Sequence, residues 1–276
     1  MKQSYVLLKT EVLEHKIITR LPLFLALFAT LVVVIVLSNI NDFSFNIQMN
    51  GIDGWQPPIT TSSFAGVVGA VSFFVAGIVS LLSFFTYSAR TLAKERKEGS
   101  LAFWHSMPVS DTKAIAIKLL VALVIIPLFS SLLLLFIDVT VWIVAMWVMP
   151  ADMLIENSLS LIAIGVHWGQ FISMMAAMSL ALLPIACVIF CASQLTDHPL
   201  LVLFVAVTLV KFVSYMLFDS MAIGSWLNRV SNLAFNILTS NHPWQTLVSL
   251  GPITLFGLLI IAVGLFKVSI YLRSGD

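Results

Sequence analysis

Six apolar runs, at about 21–38, 64–88, 115–140, 170–194, 200–219 and 246–267, govern what this chain can fold into. Each is close to the roughly 20 residues that a helix needs to cross a bilayer. Lipid offers backbone N–H and C=O groups no partners, so each run must close its own hydrogen bonds as a helix. The runs are continuous and lack the alternation that a membrane barrel requires. Composition agrees: 60% of the 276 residues are hydrophobic and 10% are charged, against about 25% charged in a soluble domain. The expected fold class is therefore all-α integral membrane, with six transmembrane helices in a single domain over residues 1–276.

Lys and Arg set the expected orientation, because loops rich in them stay on the cytoplasmic side. Lys2, Lys9, Lys16 and Arg20 precede the first run. Arg90, Lys94, Arg96, Lys97, Lys113 and Lys118 lie between the second and third, and Lys267 and Arg273 end the sixth. Of the 14 basic residues only Lys211 and Arg229 fall elsewhere. Both termini are thus expected in the cytoplasm. The net charge of +1 gives no reason to expect nucleic acid as a partner. No small-x-small cleavage pattern closes the first run, which is expected to be retained as a helix.

Residues 3–18 form an amphipathic pattern. Tyr5, Leu8 and Val12 align on a helical wheel, Val6, Leu13 and Ile17 lie beside them, and Glu11 and Glu14 lie opposite. The expectation is an N-terminal helix in the membrane interface, with Lys9 and Lys16 snorkelling. Residues 153–168 and 222–245 read as partly apolar outer segments, with Trp168, Trp226 and Trp244 suited to the interfacial belt. Ser72, Ala76 and Ser80, and likewise Ser173, Ala177 and Ala181, repeat every four residues as small ridges that let helices approach closely. Cys187 and Cys191 are read as packing residues, since two thiols without His or Asp nearby make a poor metal site.

No catalytic or metal motif is present: no phosphate-binding G-x-x-x-x-G-K-[ST], no H-E-x-x-H and no G-x-S-x-G. The expectation is a chain that is not an enzyme. His15, His105, His167, His198 and His242 are scattered and read as polar boundary residues. Lys211 falls near the middle of the fifth run and Asp138 near the outer end of the third. A charge at such depth must face protein or water, or snorkel. The two are therefore candidates for a translocation pathway, or simply for pairing with each other.

The densest polar segment runs from Arg90 to Asp111. Charged residues (Glu95, Arg96, Glu98) give way to Gly99 and Ser100, then to Leu101, Phe103, Trp104 and His105, and then to Pro108. Gly99 can end the helix continuing from the second run, and Pro108 can stop a short helix carrying the aromatics. This segment resembles the permease subunits of type 2 ATP-binding-cassette exporters. The likeness rests on Glu95-Arg96, Gly99-Ser100-Leu101, Pro108-Val109-Ser110 and Lys118; Ala102 stands where many relatives carry an acid. It implies a short cytoplasmic coupling helix, contributed by Glu95, Arg96, Glu98, Gly99, Ser100, Leu101, Phe103, Trp104, His105 and Pro108. It also implies two copies of a separate cytosolic ATPase that bind the ATP and Mg, leaving this chain without a cofactor. A second permease copy or a homologous permease would complete the assembly in the bacterial inner membrane. An ATPase-independent secondary transporter or membrane scaffold is the alternative. A secondary carrier would more often show broken helices in paired repeats and several ionisable groups at mid-membrane depth.

Overall fold

The computed structural model describes residues 2–38, 64–97, 110–148, 154, 158–218 and 222–274. Most of these residues are helical and, among them, no strand occurs. In chain order the helices are α1 (Lys2–Glu14), α2 (Ile17–Ser38), α3 (Val67–Lys97), α4 (Asp111–Leu120), α5 (Ile126–Val148), α6 (Leu161–Leu195), α7 (Pro199–Phe218), α8 (Ala222–Leu238), α9 (Pro243–Val248) and α10 (Pro252–Ser274). A π-helical turn at Val121–Ile125 joins α4 to α5 in one rod. Five helices are long and apolar enough to cross a bilayer alone, and α1 with α2, bent by 59°, makes a sixth candidate. A multi-pass membrane protein follows from that count.

Several helices outrun their apolar stretches. The third run, expected at 115–140, belongs to a rod from Asp111 to Trp147. The second continues to Lys97, and residues 161–168, expected as part of an outer segment, are the first turns of α6. The reason is physical: an apolar run measures immersion in lipid, whereas a helix ends where a cap or breaker intervenes. Ser160 caps α6 by accepting from the Ala163 N–H at 3.1 Å. Gly251, at φ 85°, and Pro252 place the start of α10 later than the apolar run suggests.

Pro127 explains the π turn. Proline has no N–H, so the carbonyl of Leu123, four residues back, loses its helical donor. The Ser179 hydroxyl of α6 supplies one instead, at 2.7 Å. The Ile126 N–H reaches back five residues to the Val121 carbonyl, which is the signature of such a turn.

α6 is the hub, packed against α3, α5, α7, α8, α9 and α10. Phe171, Met174, Ala177, Met178 and Phe190 of α6 join Tyr87 and Phe84 of α3 in the main core. Ser72, Ala76 and Ser80 are all buried on α3. Cys187 and Cys191 are free and buried, and the Cys191 thiol donates to the Leu265 carbonyl at 3.2 Å. The outer segment 222–245 resolves into α8 and the start of α9. α8 buries Leu233, Ala234, Ile237 and Leu238 and leaves Trp226 and Phe235 exposed. Gly77 of α3 makes that docking possible, because a Cβ there would collide with the Leu238 side chain. Gly77→Ala is expected to cost about 1–3 kcal/mol by overpacking. Combined with Leu238→Ala it should cost less than the sum of the two single changes, as read by thermal melting in a double-mutant cycle.

Candidate functional site

One end of the bundle carries the basic residues around Arg90, Lys118 and Arg273 and is called the basic end; the other is the far end. At the basic end Tyr87, Thr91 and Glu95 follow one another at spacings of four on α3, so all three share a face. That face meets Glu11 of α1. The Glu11 Oε1 accepts from the Tyr87 hydroxyl at 2.9 Å, from Thr91 Oγ1 at 2.7 Å and from Lys118 Nζ at 2.8 Å. Its Oε2 accepts from Lys118 Nζ at 2.9 Å. His15 closes the group, with Nε2 at 3.3 Å from Glu11 Oε1 and its ring edge-on to Tyr87.

Lys118 also reaches Glu95 Oε1 at 3.0 Å, and Arg273 of α10 donates to Glu95 Oε2 at 3.0 Å. Arg273 Nε lies 3.0 Å from Asp111 Oδ1, at the start of α4. Glu11, Glu95, Lys118 and Arg273 are each less than a tenth exposed. One chain of charges thus ties α1, α3, α4 and α10 together. Arg96, the next residue, turns the other way, donating to the Gln194 carbonyl and pairing with Asp197 at 2.6 Å.

These positions revise one reading of the sequence and add to another. Glu11 is not on the solvent face of α1: it is 5% exposed, while Val6 and Leu13 are outward. A wheel shows which residues share a face but not which face meets protein. Glu95, expected in the coupling set, points inward as a brace. The remaining coupling residues (Glu98, Gly99, Ser100, Leu101, Phe103, Trp104, His105 and Pro108) lie outside the described residues. Glu95 and Lys118, at opposite ends of the segment that carries the resemblance, are brought together by the fold.

The far end holds a second polar group. Asp138 of α5, 1% exposed, has its Oδ2 2.7 Å from His167 Nδ1. Its Oδ1 lies 3.2 Å from the Ser72 hydroxyl, which also bonds the Gly69 carbonyl. His167 packs beside Phe64 and Phe73 and, contrary to its reading as a boundary residue, is 4% exposed. Lys211 does not meet Asp138. Its Nζ donates to Asn228 Oδ1 of α8 at 2.6 Å, because α7 packs on α6 and α8 rather than on α5. Tyr87, Thr91, Arg273 and His167 were not singled out from sequence as site residues. The stripe Tyr87, Thr91, Glu95 on an apolar helix was the signal available for the first two.

Among the described residues no group of three or more His, Cys, Asp or Glu side chains could hold a metal ion. Comparison with protein-family models, with curated proteins and with solved structures finds no match.

Proposed function

We propose that this chain is the membrane-spanning permease subunit of a type 2 ATP-binding-cassette exporter. In this reading it couples ATP hydrolysis by a separate cytosolic subunit to movement of a substrate across the bacterial inner membrane. The observation that carries it is the brace between the two helices that flank residues 98–109. Glu95 on α3 and Lys118 on α4 hold the two stems of that segment together, and Glu11 and Arg273 extend the hold to α1 and α10. Force applied to the loop therefore reaches four helices at once instead of bending one.

The arrangement supports this over a passive basic tether, because a tether to anionic lipid needs only charge at the surface. Here Glu11, Glu95, Lys118 and Arg273 are buried against one another, which a surface tether does not require, and the sequence between the two stems includes Leu101, Phe103 and Trp104. The basic end faces the cytoplasm in this reading, with two ATPase copies below and a second permease beside. α1 lies at the membrane interface, with Val6 and Leu13 toward lipid and Glu11 toward the bundle.

Affinity purification of the tagged chain from its native membranes is expected to bring down a cytosolic ATPase in near-stoichiometric amount. Recovery of the chain alone in a mild detergent that keeps other transporter complexes intact would sink the proposal. Orientation is checked separately: Ser110→Cys, at an exposed position, should react with a membrane-impermeant maleimide only in inverted vesicles.

A further inference from the structure

We infer that the far end carries a binding site for the protonated amine head of an amphiphile, in the cavity beside His167. This does not rest on the exporter reading. The cavity has a volume of about 430 Å³ and is lined by Phe64, Ser158, Ser160, Val166, His167 and Gln170, among others. That volume lies within the usual range for small-molecule pockets, roughly 300–1,000 Å³. His167 lies about 40 Å along α6 from Gln194 at about 1.5 Å per residue, more than the roughly 30 Å of hydrocarbon in a bilayer. With α6 centred on the bilayer, the cavity sits at headgroup level, where an amphiphile places its polar end.

The chemistry selects the head. With Asp138 ionised, the 2.7 Å contact requires the proton on His167 Nδ1 and assigns Nε2 the acceptor role. Among the described residues no Lys or Arg lines the cavity. A cation bound at Nε2 meets the Asp138 charge relayed through the ring. An anion would need a protonated His167, whose charge Asp138 already neutralises. Ser158, Ser160 and Gln170 can donate to an acceptor but carry no charge, and the first turn of α6 adds only a partial one. That turn lies about 9 Å along the axis from His167, and Ser160 already caps it. Phe64, Leu159, Ile162 and Val166 give the wall an apolar part, as a hydrocarbon chain requires.

The backbone supplies an independent sign of a built site. Among the described residues two non-glycine positions have positive φ, Ala65 at 53° and Ser158 at 54°. Ser158 lines the cavity and Ala65 follows the lining Phe64. Such strain persists only where the surrounding structure enforces it, and it clusters at ligand sites.

The test uses the full chain in lipid nanodiscs with its histidines labelled with nitrogen-15, titrated with hexylammonium, hexanol, hexanoate or hexyl phosphate. Hexylammonium should shift one imidazole signal, the one missing from His167→Gln, and bind at least about tenfold tighter than the other three probes. Asp138→Asn should erase that preference. Equal binding of hexanol would reduce the site to an apolar pocket, and tighter hexanoate or hexyl phosphate would make it an anion site; either overturns the inference, as does an unmoved His167 signal. Should the buried substitutions fail to fold, Val166→Trp at an exposed lining position fills the cavity without touching the relay. It should keep the free His167 signal and abolish its response to hexylammonium. A response that survived Val166→Trp would place the amine elsewhere.

Discussion

Lys118→Met is expected to lower the apparent melting temperature of the purified protein by about 10 °C, the largest stability loss of any single change at the basic end. The ammonium touches both Glu11 oxygens, Glu95 Oε1 and Thr91 Oγ1 within 3.0 Å. Methionine fills similar space but leaves the buried Glu11 carboxylate without its ammonium and Glu95 with Arg273 alone. Removing one partner of a buried pair costs about 3–5 kcal/mol, because the remaining charge stays uncompensated. At about 2–4 °C per kcal/mol for a chain of this size, that gives the stated shift.

The triple variant Lys118→Met, Glu11→Gln, Glu95→Gln should recover much of the loss, since neutral amides replace the stranded charges and couple through one site. Lys113→Met, at an exposed position on the same helix, should stay within about 0.5 kcal/mol of wild type. Size-exclusion profiles after heating in detergent read all three. A Lys118→Met protein that melts like wild type would mean that the four helices are not held by this network.

The membrane-spanning character was legible in the sequence, because it depends only on how many apolar residues follow one another. What stands next to what was not. Lys211 and Asp138 are visible as charges at depth, yet nothing in the chain says that α7 packs on α6 and α8, so their pairing could not be judged. Glu11 shows the same gap at shorter range. Its neighbours Val6 and Leu13 were read as an apolar face, and they are exposed as lipid-facing residues would be. The carboxylate opposite them faces the polar stripe of α3 instead of water, because that stripe offers better-placed donors than an interface does. The stripe itself is a local pattern and could have been found by asking why an apolar helix carries Tyr87, Thr91 and Glu95 at spacings of four. His167 could not, since its partner lies on another helix. The gap in the backbone ladder before Pro127 was foreseeable as a missing N–H, but not the Ser179 hydroxyl that fills it.

Trp104→Asp is expected to weaken association with the ATPase partner by about 30-fold or more, with the melting temperature of the permease nearly unchanged. The size follows from how interfaces distribute their energy: truncating a central aromatic anchor costs about 2 kcal/mol or more, and Trp is the residue most often found there. An aspartate adds a charge that the partner's groove would have to desolvate. The stability term is small because the brace between the flanking helices is made by Glu11, Glu95, Lys118 and Arg273, none of which this change alters. Two explanations of the loop then separate cleanly. If its role is electrostatic contact with anionic lipid, Arg90→Ala, at an exposed position, should matter more than Trp104→Asp, and raised salt should mimic it. If its role is to receive force, Trp104→Asp and Gly99→Trp should both uncouple ATP hydrolysis from transport, while Arg90→Ala leaves it nearly intact. Binding of the co-purified ATPase to immobilised permease, measured at two salt concentrations, distinguishes them. Unchanged association in Trp104→Asp would remove the loop from the interface and, with it, the mechanical reason for bracing its stems.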